Sequence, residues 1–549
     1  MTVLPIVERE LRVAARQPGT YWVRTGVAAA VIGIGTIIFL NTQHGPPAEA
    51  GKAVFIALTI IAGLFCLMAG ARATADCLSE EKRDGTLGLL FLTDLRGFDV
   101  VAGKLVAGSL NTFYGLLAVL PMLGLPLLMG GVSASEFWRI ALVLLNTLFF
   151  SLASGMFASA LTKSARNAAG LCMLIVLGIG ALLPLIAVIL ASTYNLRTPP
   201  EALMIPSPGY AMVFAFDYNY PSHKGEFLLS LTLVHGLAWI FLVAACLIVP
   251  RSWQDKAATV TQLRWRDRWL RWSLGDSTQR AQFRARLLDV NAFHWLASRS
   301  RIKPALVWAV IGALACAWIY CWMKWKSDWA EWPVFVVTAL ILNTLIKGWF
   351  AGEACAQLSE DRRTGSLELL LSTPLGVHDI MRGQLLALAR QFLWPLVFVV
   401  SVELAFLVAG LQTRNSENDV MVCMWICGLV VLFADLAALF YLALWLSLTV
   451  RSVNRANSGA VVRIMALPWV VYFVFMMMAS IASWRSSSSM NGIVAVLIWT
   501  VISLLFSGFF GLRAKLKLET QFREVATKRY APPLSIWKRF FGTTHSAQN

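Results

Sequence analysis

Charge is what this sequence has least of. Asp, Glu, Lys and Arg make up 14% of its 549 residues, against 58% hydrophobic ones, too little polar surface to cover a soluble fold of this length. None of the nine cysteines forms a C-x-x-C pair, and Cys66, Cys172, Cys246, Cys316, Cys321, Cys423 and Cys427 lie inside apolar runs. They read as small buried hydrophobes, which excludes a zinc ribbon or a dithiol redox centre. The six histidines are too scattered for a metal cluster. No G-x-x-x-x-G-K-S/T stretch occurs, so the chain has no phosphate-cradling loop of that kind.

What fills the sequence instead is long hydrophobic runs. About 20 residues of helix cross a ~30 Å hydrocarbon layer, and twelve runs of that kind are centred on 22–40, 53–71, 105–130, 138–161, 168–192, 226–249, 305–323, 333–351, 384–412, 420–448, 458–481 and 491–512. The first follows a 24-residue polar segment carrying Arg9, Arg12, Arg16 and Arg24, and no small-residue cleavage site stands out after it. It reads as a retained span and not a removed signal peptide. The net charge of +17 raises the question of a nucleic-acid partner, and its distribution answers it. Of the 47 basic residues, 36 fall in alternate connecting segments on one side, 7 on the other, and 4 within runs. Basic connections stay in the cytoplasm, so both termini and segments 72–104, 250–304 and 352–383 are placed there and no nucleic acid is expected.

The chain also repeats itself. SEEKRDGTLGLLFLTDLRGFDVVAGKL, residues 79–105, aligns without a gap to SEDRRTGSLELLLSTPLGVHDIMRGQL, residues 359–385, with 12 of 27 positions identical. Self-similarity at a fixed offset reports a duplicated structural unit. The copies follow spans 2 and 8, so the expected fold is an all-α polytopic membrane protein of about 12 spans in two parallel six-helix repeats. The domains then read as a first transmembrane half, 1–249, a basic linker, 250–290, a second half, 291–513, and a basic cytoplasmic tail, 514–549. In the linker, Trp265, Trp269 and Trp272 stand beside Arg264, Arg268 and Arg271. On a helix they form an indole stripe flanked by guanidinium groups, suited to the headgroup level of the bilayer.

Both copies of the repeat share one grammar. An acidic-basic cluster (Glu80, Glu81, Lys82, Arg83; Glu360, Asp361, Arg362, Arg363) leads to Gly85 or Gly365, which can break the helix leaving the preceding span. Thr86 or Ser366 is then placed to accept the first free N–H groups of a short new helix. That helix carries Leu87, Leu89 and Leu90, or Leu367, Glu368, Leu369 and Leu370, apolar enough to dock but too short to span. Asp99 or Asp379 follows in the first turn of the next helix, where a carboxylate suits the dipole. Solubility constrains composition but not position. Matching leucines and glycines therefore point to insertion into a partner's groove.

At these residues the sequence resembles the permease subunits of ATP-binding-cassette exporters of the type 2 class. The string E-x-x-x-G-T/S-L-x-L-L-L-x-T/S-P-L, followed by an acidic residue and G-K or G-Q, is similar to that family's loop between its second and third spans. The resemblance implies a coupling helix at Gly85–Leu95 and Gly365–Leu375 that rests on a cytoplasmic ATPase subunit, two subunits in all. Glu80, Arg83, Gly85, Thr86, Leu87, Leu89 and Leu90, with Glu360, Arg363, Gly365, Ser366, Leu367, Glu368, Leu369 and Leu370, are the implied coupling residues. It also implies a multi-pass protein of the cell (inner) membrane that exports a substrate the sequence does not name. ATP and magnesium would sit on the partner subunits and no cofactor on this chain, which is then not itself an enzyme. The first copy departs at Gly88 and Asp94, where the second has Glu368 and Pro374.

Glu403 and Asp435 lie mid-span, where a carboxylate is costly unless protonated, paired or facing water. They are candidates for a transport path or for helix packing. Lys347 and Arg390 are expected to snorkel from cytoplasmic span ends. Prolines 121, 126, 184, 395 and 468 are expected to kink the spans. Two other classes stay open: an ion-gradient-driven secondary transporter of twelve spans, which the two carboxylates would suit, and a membrane scaffold or sensor. Single cysteines introduced at Glu80 and Glu360 are expected to react with a membrane-impermeant maleimide in inside-out vesicles and not in right-side-out ones. The reverse pattern would invert the topology.

Overall fold

The computed structural model describes residues 46–92, 95–194, 198–252, 277–299, 302–326, 331–412, 418–450, 452–483 and 491–527, with positions 33, 196, 264, 267, 268 and 329. The expected first span, 22–40, lies outside these residues apart from Gly33, as do Trp265, Trp269, Trp272 and Arg271 of the linker stripe; Arg264 and Arg268 are helical and exposed. The structure is 88% helical, with no strand among the described residues. Hydrocarbon offers no partner to a free N–H or C=O, so a spanning chain closes its hydrogen bonds within each segment. Eleven described helices are long and apolar enough to cross a membrane.

The chain divides into two compact units that part in the linker. The first contains α1 (Pro47–Ala73), α2 (Cys77–Asp84), α3 (Thr86–Leu92), α4 (Gly97–Leu123), α5 (Ala134–Leu161), α6 (Ala165–Leu177), α7 (Leu183–Thr193), α8 (Pro208–Ala215) and α9 (Lys224–Ser252). Helix α5 is its centre, packing against α1, α4, α6, α8 and α9. Its seam with α1 is built from small residues. Ser151 donates to the Leu67 carbonyl at 2.7 Å and accepts from the Gly70 N–H at 2.8 Å, and Thr74 donates to the Leu152 carbonyl at 2.9 Å. A Cβ added at Gly155 would stand 2.6 Å from the Gly70 carbonyl oxygen. Such close approach lets packing and hydrogen bonds replace the hydrophobic effect, which has no purchase between helices in lipid.

The second unit contains α10 (Ser277–Leu288), α11 (Ala292–Ala297), α12 (Ile302–Trp325), α13 (Trp332–Arg363), α14 (Ser366–Leu371), α15 (Val377–Gln412), α16 (Asn418–Thr449), α17 (Val453–Val461), α18 (Leu467–Ser483) and α19 (Gly492–Thr527). Here α16 is central, packed on α13, α15, α17 and α19. The last helix runs beyond the expected boundary at 513, and Ala514, Leu518, Phe522 and Ala526 are buried in the second core. Those residues form one face at helical spacing, so residues 514–527 belong to the second half and not to a tail.

Two of the expected kinks share one device. A π-helical turn, Gly178–Leu182 or Val462–Ala466, comes immediately before the Leu-Pro pair at 183–184 or 467–468. A proline inside a helix lacks its N–H and crowds the carbonyl four residues back, and a wider turn relieves both. In the first unit that carbonyl belongs to Gly180, and the Ser207 hydroxyl donates to it at 2.9 Å. The α1–α5 seam makes a prediction. Gly155→Ala should lower the unfolding midpoint in detergent, by about 1–3 kcal/mol of stability for an overpacked site. Gly170→Ala, where a Cβ meets nothing within 4 Å, should leave it unchanged or raise it.

Candidate functional site

The two repeated connectors fold alike. Helices α2 and α13 end at Asp84 and Arg363, and Gly85 (φ 72°) and Gly365 (φ 76°) both take the left-handed conformation that turns the chain sharply. A side chain at that φ costs about 1–2 kcal/mol, which is why glycine stands there in both copies. Thr86 and Ser366 then start the short helices α3 and α14. Their hydroxyls do not cap the free N–H groups, as the sequence suggests. They fold back instead as donors: Thr86 to the Glu81 carboxylate, and Ser366 to the Asp361 carbonyl at 3.0 Å and its carboxylate at 3.3 Å. Glycine's own backbone supplies the start of the helix, leaving the hydroxyl free to lock the elbow.

The next helix is capped as expected. The Asp99 carboxylate accepts the Arg96 N–H at 2.9 Å, and Asp379 accepts the Gly376 N–H at 3.1 Å. The copies differ in what holds the acid of the elbow. Lys104 pairs with Glu81 at 2.7 Å. Its counterpart is Gln384, and Asp361 is instead bonded by the Gln357 amide at 3.2 and 3.3 Å.

The leucines separate by face. Leu87 and Leu367 are 1% and 0% exposed, each in the core of its own unit, while Leu89 and Leu369 are 63% and 72% exposed. Leu90 and Leu370 are half-buried. Leu87 and Leu367 thus lie inside the cores of their own units, while Leu89 and Leu369, at the matching register, offer open surface. Glu80, Gly85, Glu360, Arg363 and Glu368 are exposed beside the outward leucines, and Gly365, Thr86 and Ser366 are half-buried. Arg83 is held inward, paired with Asp76 at 2.7 Å and donating to the Lys163 carbonyl at 3.2 Å. The Ser159 hydroxyl on α5 accepts the Leu78 and Ser79 N–H groups at 2.9 and 3.0 Å. Each connector is thus a rigid elbow with one apolar knob outward and one inward.

The mid-span carboxylates lie in the second unit. Asp435 is 4% exposed, receives Lys347 Nζ at 2.8 Å, and accepts the Ser507 hydroxyl. Lys347, 9% exposed near the middle of α13, does not snorkel as expected: its ammonium lies closer to a buried counter-charge than to water. Reading it as an in-span charge, like the two acids, would have found the pair. Arg390 also stays in protein, donating to the Ser298 carbonyl at 3.0 Å with its guanidinium 4.4 Å from the Phe283 ring centre. Glu403 is 2% exposed, with Asn343 and Lys347 as its polar neighbours and Oε1 without a hydrogen-bond partner among the described residues.

Comparison with known families places residues 14–250 in a match to the ABC-2 family transporter protein. No curated protein matches the chain. The matched segment is the first half, and the second half repeats its connector with the same left-handed glycine, hydroxyl lock, buried leucine and aspartate cap. The likeness to ABC-2 family transporters thus covers residues 14–250, less than half of the chain, and the repeated connector carries its pattern into the second half.

Proposed function

We propose that the chain carries both permease halves of an exporter, driven by two separate ATPase subunits that hold ATP and magnesium and that seat on α3 and α14 from the cytosolic side of the cell (inner) membrane. The observation that carries this reading is the paired elbow: Leu87 and Leu367 sunk in the core, Leu89 and Leu369 held outward at the same register. A buried leucine at the base of the short helix transmits a push to the core instead of letting the helix swing. An exposed leucine two residues on is left mostly uncovered among the described residues. Each elbow also joins two spans, α1 with α4 and α13 with α15, so force on it changes the angle between them. Cargo moves outward along the path that these angles open. Glu403 and Asp435 contribute to packing and charge balance in the second half, not to catalysis.

The reading is tested by co-purification. Leu89→Asp with Leu369→Asp should release the ATPase. Losing an apolar anchor at an interface costs about 2 kcal/mol or more per site, and each 1.4 kcal/mol is tenfold in affinity. Either substitution alone should weaken capture at least tenfold. Both sites are exposed, so the unfolding midpoint of the permease should not move. Full capture by the double variant would overturn the assignment.

A further inference from the structure

The second half holds three charged groups in mid-span, Lys347, Asp435 and Glu403, whereas the described first half has there only His235, bonded to Asn146. Lys347 on α13 faces Asp435 on α16, with the Ser507 hydroxyl of α19 on the other carboxylate oxygen. Glu403 on α15 lies within electrostatic reach of the same ammonium and is hydrogen-bonded by Asn343, one turn before Lys347 on α13. The offset of 280 puts Leu67 and Leu123 at the registers of Lys347 and Glu403. Two carboxyls therefore share one ammonium inside the bilayer. The ion pair takes up the Asp435 charge and leaves Glu403 without an ion pair of its own among the described residues, where its Oε1 also has no hydrogen-bond partner.

An ionised carboxylate at that depth without its own counter-charge is costly, and a proton removes the cost. We infer that Lys347, Asp435 and Glu403 form a one-proton site, in which whichever carboxyl is not paired with Lys347 carries the proton. An ammonium has three donors on a flexible stem, so it can serve either acid. Asp435 holds it here because the Ser507 hydroxyl completes that carboxylate. The ligand is a single proton, and the assignment rests on the second unit alone, independent of any ATPase. The helices involved are informative: Lys347 and Glu403 stand on α13 and α15, the two legs of the second elbow. Displacement of one leg against the other alters which acid lies nearer the ammonium.

Infrared spectroscopy of the purified full-length protein in lipid nanodiscs at neutral pH tests this. The wild type should show a C=O stretch of a protonated carboxyl that shifts when glutamate is labelled with carbon-13 at its side-chain carboxyl. The label identifies the residue type without a substitution, so the test survives a variant that fails to fold. Glu403→Gln should abolish the band. Asp435→Asn should abolish it too, because Lys347 then pairs with Glu403 and ionises it. Absence of the band in the wild type, or its persistence in Glu403→Gln, would overturn the assignment. A band that persists in Asp435→Asn would contradict the shared ammonium.

Discussion

Hydrocarbon satisfies no polar group, and nearly every feature of this chain answers to that. Backbones close their own hydrogen bonds as helices. Where a proline breaks the ladder at Pro184, a serine hydroxyl takes the exposed carbonyl of Gly180. Where charge enters the second half, an acid and an ammonium meet at 2.8 Å. Irregular, charged chain belongs outside the bilayer, and the duplicated elbows lie between the apolar helices that can span it.

The halves meet the same constraint by different means. The first joins α1 to α5 through Gly70, Ser151 and Gly155, with backbones close and hydroxyls on carbonyls. The second joins α13 to α16 through Lys347 and Asp435. A seam of small residues is fixed by shape, whereas a buried ion pair is fixed by partner and destabilises strongly when one member is lost. Duplication has kept the elbow in detail and let the membrane interior diverge.

Much of this was legible in the sequence. Hydropathy located the eleven spans that lie among the described residues, and the gapless repeat exposed the elbow, its glycine and its capping aspartate. Four things were not legible. A six- or seven-residue helix is too short for periodicity to say which leucine faces in, so Leu87 and Leu367 were indistinguishable from Leu89 and Leu369. A hydroxyl after glycine can accept from the new helix or donate backward, and only the nearby Glu81 or Asp361 decides. Lys347 looked like a snorkelling span end because its partner lies 88 residues away on another helix. The run of α19 to Thr527 was hidden by its charged outer face, although its buried positions keep helical spacing.

The central claim is that the outward knobs, and not the buried ones, meet an ATPase. A photo-crosslinking amino acid placed in turn at Leu87, Leu89, Leu367 and Leu369 tests it most directly in cells containing the intact complex. Adducts with an ATP-hydrolysing subunit are predicted at Leu89 and Leu369, with those at Leu87 and Leu367 confined to this chain. Adducts from the buried pair to the ATPase, or none from the exposed pair, would contradict the account.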